Sequence, residues 1–152
     1  MTQDTSIHAG LANTEELKKL IFKLREDVFV TEQGYALEDE FDEYDADAIH
    51  FIATEGPIDQ ATKAVGTCRL ILKADNLGKI GRVAVDLSLR GRKIGSILMQ
   101  FVHEHSKAIG LKGIRISSQE DKVPFYKKLG YVPVGDVYFE EGTPHVAVEM
   151  DF

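Results

Sequence analysis

The 152-residue sequence predicts an α/β fold: one mixed sheet with helices on both faces. Three observations carry the prediction. Residues 80–85 read as a short apolar strand that enters a basic, glycine-containing turn, then a long amphipathic helix, then a second strand at 112–118. That order is a crossover unit with parallel strands. Two late β-rich runs, 131–139 and 145–150, flank Glu141-Gly142, the pattern of an antiparallel hairpin. Finally, 43% hydrophobic and 28% charged residues at this length suit one domain, expected over 1–152, with a single substantial core.

The elements follow in order. Residues 7–11 suggest a first strand. Asn13 and Glu16 have capping-box spacing, and Leu17, Leu20, Ile21, Leu24 and Val28 then recur at helical intervals. An acidic segment, Glu38 to Asp47, comes next. Two β-rich runs at 48–54 and 64–72 are separated by a Gly56-Pro57 turn. The long helix is expected to bury Ile94, Ile97, Leu98, Phe101, Val102 and His105 on one face and to close near Gly110. A short helix at 121–129 tolerates Pro124 in its first turn and ends at Gly130.

Composition excludes several roles. A net charge of −7 argues against a protein built to grip nucleic acid. No apolar run approaches the ~20 residues of a membrane span. The first residues lack the basic and apolar regions of a signal peptide, and a single cysteine, Cys68, cannot form an internal disulfide. A cytoplasmic location is therefore expected. The acidic segment reads either as a solvated loop or as a field that attracts a cationic amine.

The chemistry centres on the basic turn. Helix starts offer unpaired backbone N–H groups and partial positive charge, and here two arginines and a lysine join them, which suits a polyphosphate. G-x-x-x-x-G-K-[ST] is absent, as is G-x-G-x-x-G, so neither a Walker A loop nor a dinucleotide fold is indicated. Taken alone, the turn permits several nucleotides.

Arg90-Gly91-Arg92-Lys93-Ile94-Gly95 resembles the [RQ]-x-x-G-x-[GA] pyrophosphate loop of the GNAT superfamily, the acyl-CoA-dependent N-acyltransferases. Lys93 stands where that pattern has glycine; it can offer its backbone N–H if its φ is negative. Gln119 to Tyr131 is similar to the superfamily's later motif, which ends in F-Y-x-K-L-G-[FY]. Leu24 to Gln33 is similar to the L-R-x-x-V-F-V-x-E-Q signature of the small ElaA-like branch, as are an acidic loop with Asp42, Asp45 and His50 and a tail over 137–145. The resemblance covers about residues 17–150.

It implies a GNAT-like, mostly antiparallel sheet of six to seven strands with a central parallel pair and about four helices. It also implies an N-acetyltransferase that moves an acetyl group from acetyl-CoA to a primary amine by direct attack in a ternary complex. The acceptor would be a small cationic amine or a protein amino group. Arg90, Gly91, Arg92, Lys93, Ile94, Gly95 and Ser96 would hold the pyrophosphate, and the Val83, Ala84 and Val85 backbone the pantetheine arm. Gln119, Phe125 and Tyr126 complete the cofactor site, with Tyr126 as the proton donor to the leaving thiolate unless it merely packs beside Phe125. Glu32 is a substrate-facing base or an exposed helix-end carboxylate. His145 and, behind it, His50 are bases or structural hydrogen-bonding groups. His103 and His105 read as structural or exposed, and Cys68 as a small core residue. No metal is expected, because no ligand spacing converges. No nucleic-acid or membrane partner is expected, while many members pair into homodimers. Two other classes stay open: a regulatory acyl-CoA-binding module without catalysis, and a plain interaction domain.

Overall fold

Seven strands and four α-helices are spread along residues 5–152, the part of the chain described by this computed structural model. The order is β1 (Ile7–Leu11), α1 (Glu15–Arg25), α2 (Leu37–Glu40), β2 (Ile49–Glu55), β3 (Gly66–Lys73), β4 (Leu77–Val85), α3 (Ile94–Ala108), β5 (Gly113–Gln119), α4 (Val123–Lys128), β6 (Val132–Glu140) and β7 (Thr143–Asp151). The described residues form one seven-stranded sheet in the order β1-β2-β3-β4-β5-β7-β6. All neighbours are antiparallel except β4 and β5, the parallel pair expected from the crossover. Glu141 and Gly142, with φ of 50° and 75°, make the β6–β7 turn. Positive φ at both central residues is the type I′ geometry that matches strand twist.

The sheet is covered on both sides. Along β2, Phe51 and Ala53 enter the core beneath α3 and α4, whereas Ile52 between them enters the core beneath α1. This alternation follows from the two-residue period of a strand. Three local expectations need correction. The cap of α1 is Thr14, whose hydroxyl accepts from Leu17 N at 3.1 Å, so the Asn13–Glu16 capping box does not form. The first helix widens into a π-helix over Glu26–Glu32, with Gln33 N donating to Val28 O five residues back at 3.0 Å; π-turns of this kind are frequent at functional sites. The buried face of α3 is also turned: Met99 is buried and Ile97 is 37% exposed. Among the described residues, no helix is long and apolar enough to cross a membrane.

Two features of β4 create the site. It pairs with β5 from Leu77 opposite Gly113 to Ile80 opposite Ile116, after which the strands part. Against β3 it carries a bulge, since Thr67 to Arg69 spans the same rungs as Ala84 to Gly81. Arg82, at φ 54°, is the strained residue in that bulge.

Candidate active site

Where β4 and β5 part, a cleft of about 850 Å³ opens through the sheet. Val83, Ala84 and Val85 form one wall; Ala84 and Val85 pair with Thr67 and Gly66 of β3 on one edge, and beyond Ile80 β4 faces no strand on the other. The far end is the basic turn. Gly91 there has φ 94°, and Lys93 sits at φ 61°, ψ 23° immediately before α3. The negative φ expected of Lys93 is therefore wrong: the chain needs the left-handed conformation here, which explains why the resembled pattern carries glycine. Arg90, Gly91, Lys93, Ile94, Gly95 and Ser96 all line the cleft. Arg92 turns away from it, with Nη1 2.9 Å from the Glu55 carboxylate. At Gly95 a Cβ would lie 3.1 Å from the Phe125 ring, so the missing side chain lets α3 and α4 approach.

Arg90 is fully engaged. Nη1 and Nη2 donate to the two Glu32 carboxylate oxygens at 2.6 and 2.7 Å, and Nε and Nη2 donate to Val85 O at 3.3 and 3.0 Å. The end of the π-helix is thereby tied to the basic turn across the end of β4. Glu32 does not itself line the cleft.

Tyr126, from α4, stands at the seam between β4 and β5. It is 6% exposed, lines the cleft, and its hydroxyl has no hydrogen-bond partner among the described residues. Burial, with Cys68 nearby, pushes its pKa well above that of a free phenol and keeps it protonated. Cys68 is fully buried, and burial likewise pushes its thiol far up.

Across the seam, β5 and the β6–β7 hairpin contribute a polar cluster. His145 lies opposite Gln119 and is 7% exposed. Its Nδ1 is 2.7 Å from Thr143 O, which can only accept, so Nδ1 carries the hydrogen. Nε2 faces the Glu140 carboxylate at 3.7 Å. Glu140 also accepts from Ser117 Oγ at 2.9 Å, and Ser117 bonds the Tyr138 hydroxyl. Gln119 Nε2 donates to Gln33 Oε1 at 3.0 Å, and Tyr35 donates to Thr143 Oγ1 at 3.0 Å, which stitches the segment after the π-helix to the hairpin.

The acidic segment is neither a solvated loop nor a free field at its inner carboxylates. Arg25, 1% exposed, donates from Nε to Glu40 at 2.8 Å and from Nη1 to Asp45 at 2.7 Å. Arg69 grips Asp42 through Nη1 and Nη2 at 2.6 and 2.9 Å. Arg82 reaches Glu40 and Asp42 at 3.4 and 3.3 Å. Three arginines thus balance three carboxylates and pin the β4 bulge to α1 and α2. The Arg69 hydrogen bond holds the Asp42 carboxyl below the usual range, whereas burial outweighs Arg25 at Glu40 and raises it. Arg69 Nε is buried and has no acceptor among the described residues.

His50, His103 and His105 are structural in their contacts. His50 is 4% exposed and bonds Asp45 O at 2.8 Å, and burial lowers its pKa. His103 bonds the Tyr131 hydroxyl at 2.7 Å, and His105 packs against Phe101 and Phe51. Among the described residues no group of three or more His, Cys, Asp or Glu side chains could hold a metal ion. Sequence reading passed over Gln33, Tyr35, Ser117 and Glu140. Gln33 closes the Leu24–Gln33 signature and Glu140 falls within the 137–145 tail, so both carried a usable signal; Ser117 joins the site through the sheet register and Tyr35 through its bond to Thr143.

Residues 23–152 match the family model described as acetyltransferase (GNAT) domain. The uncharacterized N-acetyltransferase YjcF of Bacillus subtilis is 35% identical over 94% of this chain and 99% of its own. ElaA of Escherichia coli is 30% identical over 99% of this chain and 97% of its own. Its crystal structure covers 96% of this chain and all of its own at a TM-score of 0.82 and 28% identity. An acyl-CoA N-acyltransferase from Pseudomonas aeruginosa shares the fold at a TM-score of 0.80 and 24% identity, covering 95% of this chain and 99% of its own. With its parallel pair opening onto a basic helix start, the chain belongs to the GNAT acetyltransferase family.

Proposed function

We propose that the protein transfers an acetyl group from acetyl-CoA to a primary amine, with the amine attacking directly while both substrates are bound. One observation carries the reading: the cleft that follows the open edge of β4 joins the basic turn to Tyr126. The residues present suit an acyl-CoA. The start of α3, with Arg90 and Lys93, offers N–H groups and positive charge for a pyrophosphate. The free edge of Val83–Val85 can accept an amide-bearing chain as an added strand. When bound, acyl-CoA supplies an activated carbonyl and a thiolate leaving group.

Each residue's task follows from its surroundings. Seam-facing N–H groups of β4 stabilise charge on the carbonyl oxygen. Tyr126, held protonated, donates to the leaving sulfur. His145 is the base: Nδ1 is fixed on Thr143 O, Nε2 is left to take a proton, and Glu140 offsets the charge that results. Glu32 acts on Arg90 rather than on the amine, because its carboxylate is engaged there and lies outside the cleft lining. A cytoplasmic setting agrees with the free, buried thiol of Cys68.

The test has two parts. Gly95→Leu, which pushes into the Phe125 ring, is expected to weaken acetyl-CoA binding at least tenfold by calorimetry, roughly the loss of one good contact. Undiminished affinity would remove the pyrophosphate assignment. The wild-type protein is expected to release thiol from acetyl-CoA with some member of a broad amine panel. Binding without release across the panel would mark a regulatory acyl-CoA-binding module instead.

A further inference from the structure

We infer that the acceptor is an anionic amine: a primary amine that carries a carboxylate or another acidic group on the order of 10 Å from its nitrogen. The inference rests on the transferase reading and names its acceptor class.

The cleft is polarised along β4. Its C-terminal end leads into the basic turn, so the opposite end, near Lys79, is the side left to the acceptor. Sheet register places the side chains. Lys79 is opposite Ile71, and Lys73 lies two residues further along β3, so both lysines occupy one face of the sheet. Both are exposed, and both line the cleft. Neither has a carboxylate within ion-pair distance among the described residues; Lys73 only rests over the Tyr44 ring at 5.6 Å. The buried Arg69 Nε on the same wall also lacks an acceptor among the described residues. Of the acidic-segment carboxylates that line the cleft, Glu40 and Asp42 are already matched by Arg25, Arg69 and Arg82, and only Asp39 is left without an ion pair among the described residues, so Lys73 and Lys79 leave this wall with an excess of positive charge.

The other end of the same face has the opposite sign. Lys79 pairs in register with Arg115, and Ser117 and Gln119 follow at two-residue steps on β5, with His145 opposite Gln119. Glu140, bonded to Ser117 and next to His145, therefore hangs over the seam just past its last rung. A carboxylate and an imidazole there attract an ammonium and then relieve it of its proton. Tyr126 belongs to the core on the other side of the sheet, so the amine approaches the seam from one face and the thioester from the other. From Val83 back to Lys79 the strand spans roughly 13 Å, shortened by the bulge, which sets the length of the acceptor.

The experiment compares ω-aminoalkanoates of increasing length with the matching alkylamines and α,ω-diamines, by thiol release from acetyl-CoA. The aminoalkanoates are expected to have the highest kcat/KM, to peak at one intermediate length, and to lose their lead as ionic strength rises. In Lys79→Glu the ratio of kcat/KM for aminoalkanoate over diamine is expected to fall about tenfold or more, through KM. Lys79 is an exposed strand residue, so the variant is expected to keep the wild-type unfolding midpoint. Equal use of alkylamines and aminoalkanoates, or a ratio that Lys79→Glu leaves unmoved, overturns the acceptor assignment and leaves the transferase reading intact. Absence of thiol release with every amine, whatever its charge, overturns both.

Discussion

Glu32→Gln separates two roles that a carboxylate at this position could have. In the free protein the Arg90 guanidinium is held by both Glu32 oxygens, at 2.6 and 2.7 Å, and by Val85 O. A pyrophosphate that uses Arg90 must displace Glu32, so the carboxylate is a competitor for the ligand's counter-ion. With the two side chains 35% and 27% exposed, a bidentate pair of this kind contributes about 1 kcal/mol. Glutamine keeps one acceptor but loses the charge. Acetyl-CoA should then bind the variant roughly fivefold more tightly, as read by titration calorimetry at moderate ionic strength. Because His145 is assigned the proton transfer, kcat should fall by less than about tenfold. Affinity that is unchanged or weaker would refute the competition. A kcat loss of about a hundredfold or more, the usual penalty for removing a general base, would return that role to Glu32.

Three further expectations follow. Tyr126→Phe should lower kcat by roughly a hundredfold while sparing acetyl-CoA affinity and the unfolding midpoint, because the hydroxyl has no partner to lose. Lys93→Gly should raise stability in urea by about 0.5–1 kcal/mol, since a left-handed non-glycine residue costs about 1–2 and glycine returns part of that as unfolded-chain entropy. Asp42, whose pKa is lowered by Arg69, stabilises the fold above the unfolded carboxylate's pKa of about 3.9; the wild-type advantage over Asp42→Asn should shrink as pH falls through the folded value, measured by acid unfolding.

Local signals made most of the fold legible. The alternation at residues 112–118 marked β5, Gly110 and Gly130 marked helix ends, and Glu141-Gly142 marked the hairpin. Ambiguity appeared where two local solutions are nearly equal. Asn13 and Thr14 both suit a helix cap, and Ile97 and Met99 can each complete an apolar stripe with Ile94, Leu98 and Val102; tertiary packing chose between them. The acidic segment defeated local reading for another reason. From the sequence, Arg69 reads as pairing with the acidic loop or as facing a substrate carboxylate, and the structure selects the first; Arg25 and Arg82 lie in a helix and a strand, and no spacing pattern announces their pairing. The same holds for the candidate site. The motifs located the turn, β4 and Tyr126 as lining of one cleft and included Glu140 in the 137–145 tail, but Ser117, the unbalanced Lys79 and the meeting of Glu140 with Ser117 follow only from strand register.

The parting of β4 and β5 also bears on how the molecule comes apart. Their short ladder joins one half of the sheet, β1 to β4, to the other, β5 to β7, whereas β5 is paired with β7 along its whole length from Gly113 to Gln119. The ladder is thus the mechanical seam of the domain, and α3 is the covalent strap across it. A ligand chain lying along Val83–Val85 and bridging to β5 would lengthen that ladder. Substrate binding would then act as a weld: slow hydrogen exchange should spread outward from Ile80 and Ile116, and the two halves should separate together rather than in turn.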